Sequence, residues 1–207
     1  GGGRVGVLFA HRATSLRSVL TRNLTNRAAL ARALGALVEG EPPLRLVHGA
    51  LERLPVLAQL RLSLEHTEVM VQPFGAGLAW SAFMAAGSYV VELQEDGVAA
   101  SHFVGCFSPW SKPGAPPGAP ATDDPWQPPS NPRSEWGAWA AANSINFACV
   151  SRQPTPARCR RPFFPTAWDT PEVTADIELV VYLVVDAARR LRGRRGGGGR
   201  RGGGGRT

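Results

Sequence analysis

Two glycines and an acidic residue have a spacing that suits phosphate and ribose binding. Gly75 and Gly77 follow the apolar stretch Val69 to Val71, and Glu92 lies within the next one, Tyr89 to Leu93. Glycines allow a tight turn, and a helix that begins after it directs free N–H groups and the positive end of its dipole at a phosphate. In dinucleotide-binding folds an acid roughly 20 residues further on accepts ribose hydroxyls, and Glu92 lies near that spacing. A simple packing turn in an α/β domain has the same Gly-Ala-Gly pattern, so both interpretations stay open.

Arginines follow the first apolar stretch, Val5 to Ala10. Arg12, Arg17 and Arg22 lie in one polar segment, and His11 stands at its start. A guanidinium binds phosphate through two parallel hydrogen bonds, and loops after parallel strands lie at the edge of the sheet where ligands bind. A diphosphate held between these arginines and the glycine turn is one interpretation, and a solvated arginine-rich loop is the other. His11 has the position of a base, although a structural role fits it equally.

Other kinds of catalytic chemistry are not indicated. The histidines have no metal-binding spacing, and Cys106, Cys149 and Cys159 match no zinc pattern. Cys149 and Cys159 are candidates for a disulfide or for free thiols. We find no Ser-His-Asp elbow and no Walker motif, so the sequence assigns no catalytic residue and no metal ligand.

The elements that must position the glycines and Glu92 alternate between strand and helix, which predicts an α/β fold with a Rossmann-like parallel sheet and flanking helices. The expected strands are Val5–Ala10, Leu44–Val47, Val69–Val71, Tyr89–Leu93 and Ile145–Val150. The expected helices run from a cap at Thr25 or Asn26 to Gly40, from Leu54 to Leu64, from about Leu78, from Glu135 to Ala142, and from Pro171 to Arg192.

Composition divides the chain into four parts. Residues 1–107 form the core of the α/β lobe, residues 108–133 a disordered insertion rich in proline and glycine, residues 134–192 the rest of the lobe with its closing helix, and residues 193–207 a disordered Arg/Gly tail. The chain opens with three glycines and no methionine, which leads us to expect a fragment of a longer protein.

The basic character of the chain lies at its carboxyl end. The net charge is +7, and because eight arginines and no acid follow Asp186, the rest of the chain carries −1. A nearly neutral body argues against nucleic acid as its partner. Arg-Gly repeats bind RNA in some proteins, so an RNA-associated role through the tail is an alternative. No apolar stretch reaches the roughly 18 residues of a membrane span.

Four sequence blocks in order resemble the catalytic domain of glycosyltransferase family 61, which includes plant xylan xylosyl- and arabinosyltransferases and animal O-linked N-acetylglucosamine transferases. They cover most of Val5 to Val150 and read VGVLFAHR, TRNLTNRAALARAL, EVMVQPFGAGLAWSAFMAAGSYVVEL and WGAWAAANSINFACV. Two positions depart from the family pattern, since Phe74 stands where a histidine is usual and Arg27 where an acid is usual. Phenylalanine cannot replace the hydrogen bonding of an imidazole, so a catalytically inactive binding module is a further alternative.

The resemblance implies the nucleotide-sugar lobe of a two-lobed GT-B enzyme. It implies transfer of a sugar from a UDP-sugar donor to a glycan or glycoprotein acceptor, without a metal or other cofactor. It also implies a type II membrane protein of the Golgi or endoplasmic reticulum lumen, anchored upstream of Gly1. The residues it assigns to the donor are Arg12 and Arg22 near the phosphates, Asn26 supporting that loop, Gly75, Ala76, Gly77 and Leu78 in the phosphate turn, and Glu92 at the ribose or the base of the helix.

Overall fold

The computed structural model describes residues 3–11, 23–73, 76–93, 126, 142–150 and 172–197. The predictions for Arg12, Arg22, Phe74 and Gly75 lie outside the described residues. So do those for the helix at 135–141, the terminal segment 198–207 and, apart from Trp126, the insertion at 108–133.

Five strands of the described chain form one parallel sheet, in the order β3-β1-β4-β5-β6. They are β1 (Val5–His11), β3 (Leu44–Ala50), β4 (Val69–Pro73), β5 (Tyr89–Leu93) and β6 (Asn146–Val150). Two short strands, β2 (Asn23–Leu24) and β7 (Glu172–Val173), pair in parallel as a separate ladder. The predicted α/β class and parallel sheet are confirmed. The β2–β7 ladder was not predicted, since residues 11–26 were expected to form a loop.

The helices differ from the prediction mainly at their ends. They are α1 (Arg27–Gly35), α2 (Val56–His66) and α3 (Ile177–Gly197), with 3₁₀ helices at Leu51–Arg53 and Ala76–Phe83. The first helix was expected to reach Gly40, and the closing helix was expected to end at Arg192. The helix expected after the glycine turn is the 3₁₀ helix Ala76–Phe83, whose turns are tighter than those of an α-helix.

Apolar side chains cover both faces of the sheet. On one face, Phe9 and Val71 pack with α1 and α3 around a core that includes Leu30 and Leu183. On the other, the neighbouring strand positions pack against α2 and the 3₁₀ helix. Successive strand residues point to opposite faces, so a sheet covered on both sides has strands that are apolar without interruption. This explains why the apolar runs alone located the strands.

The carboxyl end of α3 is held against the sheet by two arginines that the sequence analysis assigned to a disordered tail. Arg195 forms an ion pair with Glu68, whose other oxygen accepts from the backbone N–H of Gly6 at 3.0 Å. Arg194 donates to the carbonyl of Gly87 at 3.1 Å. The expected start of disorder at residue 193 is therefore wrong, since the helix continues to Gly197 with these contacts.

Trp126, the one described residue of the proline-rich insertion, packs into the core. The indole is 4% exposed, and its Nε1 donates to Asp186 Oδ2 at 2.7 Å. Its ring meets Tyr89 edge-on, with ring centroids 4.7 Å apart. The same Asp186 oxygen accepts from Arg190 Nε at 2.8 Å. The insertion was expected to be exposed and disordered, and Trp126 departs from that expectation because its buried indole N–H donates to a charged acceptor.

Candidate functional site

The order of the strands reverses between β1 and β4. The chain passes from β1 outward to β3 and then returns across β1 to β4, β5 and β6. In open parallel sheets such a reversal leaves a crevice beyond the carboxyl ends of the two central strands, and ligands bind there. We call the region where β1 ends at His11 and β4 ends at Pro73 the switch-point edge. The segments assigned to the donor phosphates begin directly after these two residues.

Gln72 places a polar side chain at the switch-point edge. It is 8% exposed, and within the described part of the chain its Oε1 has no hydrogen-bond partner. Leaving a buried acceptor unsatisfied costs about 1–3 kcal/mol, so such a group in a crevice is suited to a ligand donor. Sequence reasoning missed Gln72, although a polar residue at the end of an apolar strand, before a glycine turn, was a usable signal.

Gly77 lies in contact with Gln72. A Cβ built on Gly77 would overlap the Gln72 amide, with the Cδ atom at 2.8 Å. Any side chain at residue 77 would therefore have to displace the Gln72 amide from β4. The Gln72 amide occupies the space on that side of the turn, so a phosphate at the Gly77 backbone would lie beside it.

Leu78 and Ala76, the other described residues of the predicted phosphate turn, differ in what they can offer a ligand. Leu78 is 1% exposed and packs in the core between the sheet and α2, so only its backbone is available to a ligand. Ala76 begins the 3₁₀ helix. Its first N–H groups have no intrahelical acceptors, as at any helix start, and can meet an anion.

Glu92 lies on β5 beside the switch-point edge but beneath the surface. It is 0% exposed, and its backbone is in register with Gln72 on one side and Cys149 on the other. The structure thus brings Glu92 and Gln72 together on adjacent strands. A ribose could reach the Glu92 carboxylate only after a rearrangement, whereas Gln72 lies nearer to the turn.

Asn26 was, with Thr25, one of two residues expected to cap α1, and the family resemblance implied that it supports the arginine loop. Its side chain instead bridges to the segment before α3, since Nδ2 donates to the Ala175 carbonyl at 2.8 Å and Oδ1 accepts from the Ala175 N–H at 3.0 Å. Among the described residues it forms no capping hydrogen bond with α1. Asn26 therefore stands at the N-cap position, as one of the two alternatives predicted, but its amide is used in a tertiary contact and not for capping.

Two histidines and an arginine meet at the carboxyl ends of β1 and β3. The imidazole of His48 stacks on Phe9 with ring centroids 4.9 Å apart and an interplanar angle of 9°. The rings of His11 and His48 have centroids 4.9 Å apart, and Arg27 Nη1 lies 3.4 Å from His11 Nδ1. We call His11, His48 and Arg27 the His-Arg cluster. Sequence reasoning singled out His11 but not its partners, which the register of β1 and β3 brings to it.

Comparison with protein-family models and with curated proteins gave no match. Among the described residues, no group of His, Cys, Asp and Glu side chains has an arrangement that would hold a metal ion. The described helices include none whose length and apolar character would let it cross a membrane.

Proposed function

We propose that this chain is the nucleotide-sugar lobe of a GT-B glycosyltransferase, which transfers a sugar from a UDP-sugar donor to a glycan or glycoprotein acceptor in the Golgi or endoplasmic reticulum lumen. The observation that carries the proposal is the buried Gln72 amide at the switch-point edge, with Oε1 lacking a partner among the described residues. The donor's sugar or ribose hydroxyls, or its uracil N–H, would supply the missing hydrogen bond.

The sequence around this edge supports an anionic donor. In the sequence, Arg12 follows β1 directly, Arg22 lies between β1 and β2, and Gly75 and Gly77 follow β4. Guanidinium groups and the first N–H groups of a helix stabilise the charge that develops on a departing UDP, because they are already oriented towards it. The transfer needs no metal in this scheme.

Calorimetry of the 207-residue chain with UDP, UDP-xylose, UDP-arabinose and UDP-N-acetylglucosamine tests the proposal. The decisive variant is Gln72→Met, which keeps the length of the side chain and removes the buried unsatisfied oxygen. We expect it to unfold at higher denaturant concentration than the wild type but to bind UDP roughly tenfold more weakly, equivalent to about 1.4 kcal/mol. Higher stability together with weaker binding is the signature of a functional polar residue.

Ser63→Ala is the matched control. Ser63 on α2 is 0% exposed, and its Oγ also has no partner within the described chain. It lies near the carboxyl end of α2, towards the opposite edge of the sheet. This variant should gain stability for the same reason and keep the UDP affinity of the wild type. The proposal fails if no donor binds, or if Gln72→Met binds UDP as well as Ser63→Ala does.

A binding module without catalysis on the same fold is the second candidate. It is favoured by Phe74 in place of a histidine and by the Gln72 side chain lying against Gly77. Transfer and donor hydrolysis should be measured for the wild type and for Phe74→His. Retained UDP binding without turnover in either protein would favour the module, and turnover by the wild type would exclude it.

A further inference from the structure

The His-Arg cluster brings three nitrogen-bearing side chains together, with His11 and Arg27 partly buried and His48 exposed. His11 belongs to β1, His48 to β3 and Arg27 to the first turn of α1. Phe9 and His48 are opposite each other in the β1–β3 register, and His11 follows Phe9 by two residues, so the three rings share one face of the sheet. The cluster is built from three separate elements, which fixes its geometry.

The contact between Arg27 and His11 defines a proton arrangement. A guanidinium only donates hydrogen bonds, so His11 Nδ1 must be the acceptor at 3.4 Å, with the proton of the neutral ring on Nε2. The long distance shows a weak interaction. A negatively charged oxygen near the two groups would receive a stronger hydrogen bond from the guanidinium than the imidazole nitrogen does.

His48 is held in place by aromatic stacking. It lies almost parallel to Phe9, which is 0% exposed and belongs to the core. Burial lowers the pKa of His48 below its usual value, and the positive charges of His11 in its protonated form and of Arg27 lower it further. Cations held this close favour a neutral imidazole until an anion compensates for their charge.

The start of α1 adds to the positive potential. Asn26, the residue before the helix, uses its side chain on Ala175, and the first turn carries Arg27 but no acidic residue. The positive end of the helix dipole therefore lies at Arg27, and its own turn supplies no carboxylate.

We propose that His11, His48 and Arg27 form a binding site for a tetrahedral oxyanion, such as phosphate, a phosphate ester or sulfate. The site is carried by the geometry of the cluster alone and holds whether or not the chain binds a nucleotide sugar. Arg27 provides the permanent charge, His11 lies beside it, and His48 provides a donor that strengthens as its ring becomes protonated. Binding tightens as the pH falls from 7.5 to 6.

NMR titration of the histidine Hε1 resonances with inorganic phosphate and with sulfate tests the site. Sulfate keeps its charge across this pH range, so any change of its affinity with pH comes from groups of the protein. We expect sulfate to shift the His11 and His48 signals, to raise the apparent pKa of His48, and to bind more tightly at pH 6 than at pH 7.5. Arg27→Gln and His48→Phe should each weaken binding about tenfold, since each removes a charge-assisted hydrogen bond. His48→Phe preserves a ring that can stack on Phe9.

Arg32→Gln is the matched control, because Arg32 is an exposed arginine on the same helix. It should bind sulfate like the wild type, and dispersed amide spectra should confirm that each variant is folded. If UDP displaces sulfate from these histidines, the oxyanion of the site belongs to a nucleotide. If UDP and sulfate bind without competing, the site takes another phosphate or sulfate. Absence of any sulfate-dependent shift, or equal weakening by Arg32→Gln and Arg27→Gln, would overturn the site.

Discussion

The side-chain amide of Gln72 occupies the volume that any side chain at Gly77 would require. Gln72 is the fourth residue of β4, and Gly77 lies at the start of the 3₁₀ helix that follows. The contact therefore sets how closely the helix approaches the end of the strand. It connects the glycine that suggested a phosphate turn with the buried amide on which the proposed donor site rests.

Gly77→Ala should destabilise the fold through this contact. The new methyl group would meet the Gln72 amide, and overpacking of a closed site costs about 1–3 kcal/mol. Urea unfolding measures the effect. Truncation in the double variant Gln72→Ala/Gly77→Ala should recover most of the loss, because the three nearest atoms to the built Cβ all belong to Gln72.

Gly49→Ala is the control for the change from glycine to alanine. Gly49 lies near the end of β3, and no described atom is within 4 Å of a Cβ built there. Its unfolding free energy should stay within about 0.5 kcal/mol of the wild type. Equal destabilisation by Gly49→Ala and Gly77→Ala would show that backbone entropy, and not the Gln72 contact, is responsible.

Asn26→Ala should loosen the junction between the first and last helices. It removes two hydrogen bonds to Ala175, at 2.8 and 3.0 Å, and leaves the Ala175 N–H and carbonyl without these partners. The expected loss is about 1–3 kcal/mol in the free energy of unfolding, measured by urea titration. Amide hydrogen exchange at Ala175 should also accelerate. Unchanged exchange there would contradict the proposed role of the side chain.

The sheet could be predicted from the sequence because its strands are buried on both faces. Each strand is a short apolar run, and alternation with helices predicts parallel pairing without any knowledge of contacts. The carboxyl ends of β1 and β4 were located for the same reason. His11 at the end of β1 was recognised in this way.

Tertiary contacts between distant residues could not be predicted in the same way. Asn26 forms a hydrogen bond with Ala175, which is 149 positions further along the chain, and neither residue type indicates that the two are in contact. The extension of α3 past Gly193 depends on acceptors supplied by Glu68 and Gly87, so helix propensity alone gave the wrong end. His48 joins His11 through strand register, which becomes known only when β1 and β3 are paired.

Trp126→Phe should show how much the Trp126 hydrogen bond contributes to stability apart from the packing of the ring. The phenyl ring keeps the edge contact with Tyr89 and loses the 2.7 Å donation to Asp186. A hydrogen bond to a charged group contributes about 1.5–3 kcal/mol, so a loss of this size is expected in denaturant unfolding. Trp126→Ala removes the ring as well and should cost about 3–5 kcal/mol. Equal stability of the two variants would mean that the ring contributes nothing.

The pH dependence of stability should contain a contribution from His48. Its pKa in the folded chain lies below the ordinary value of 6.5, chiefly through burial and then through His11 and Arg27. Between the folded pKa and 6.5 the unfolded chain binds more protons than the folded chain, so stability rises with pH over that interval and is complete above about 6.5. As the pH falls through the folded pKa, this contribution is lost.

His48→Phe removes the titrating ring while an aromatic side chain remains over Phe9. Urea midpoints for the wild type and the variant should be compared between pH 5 and 7.5, since other groups titrate equally in both proteins. The wild type should lose more stability than the variant as the pH falls, and added sulfate should reduce that difference because the anion favours the protonated ring in the folded state. Parallel curves for the two proteins would show that His48 has the same proton affinity in the folded and unfolded chain.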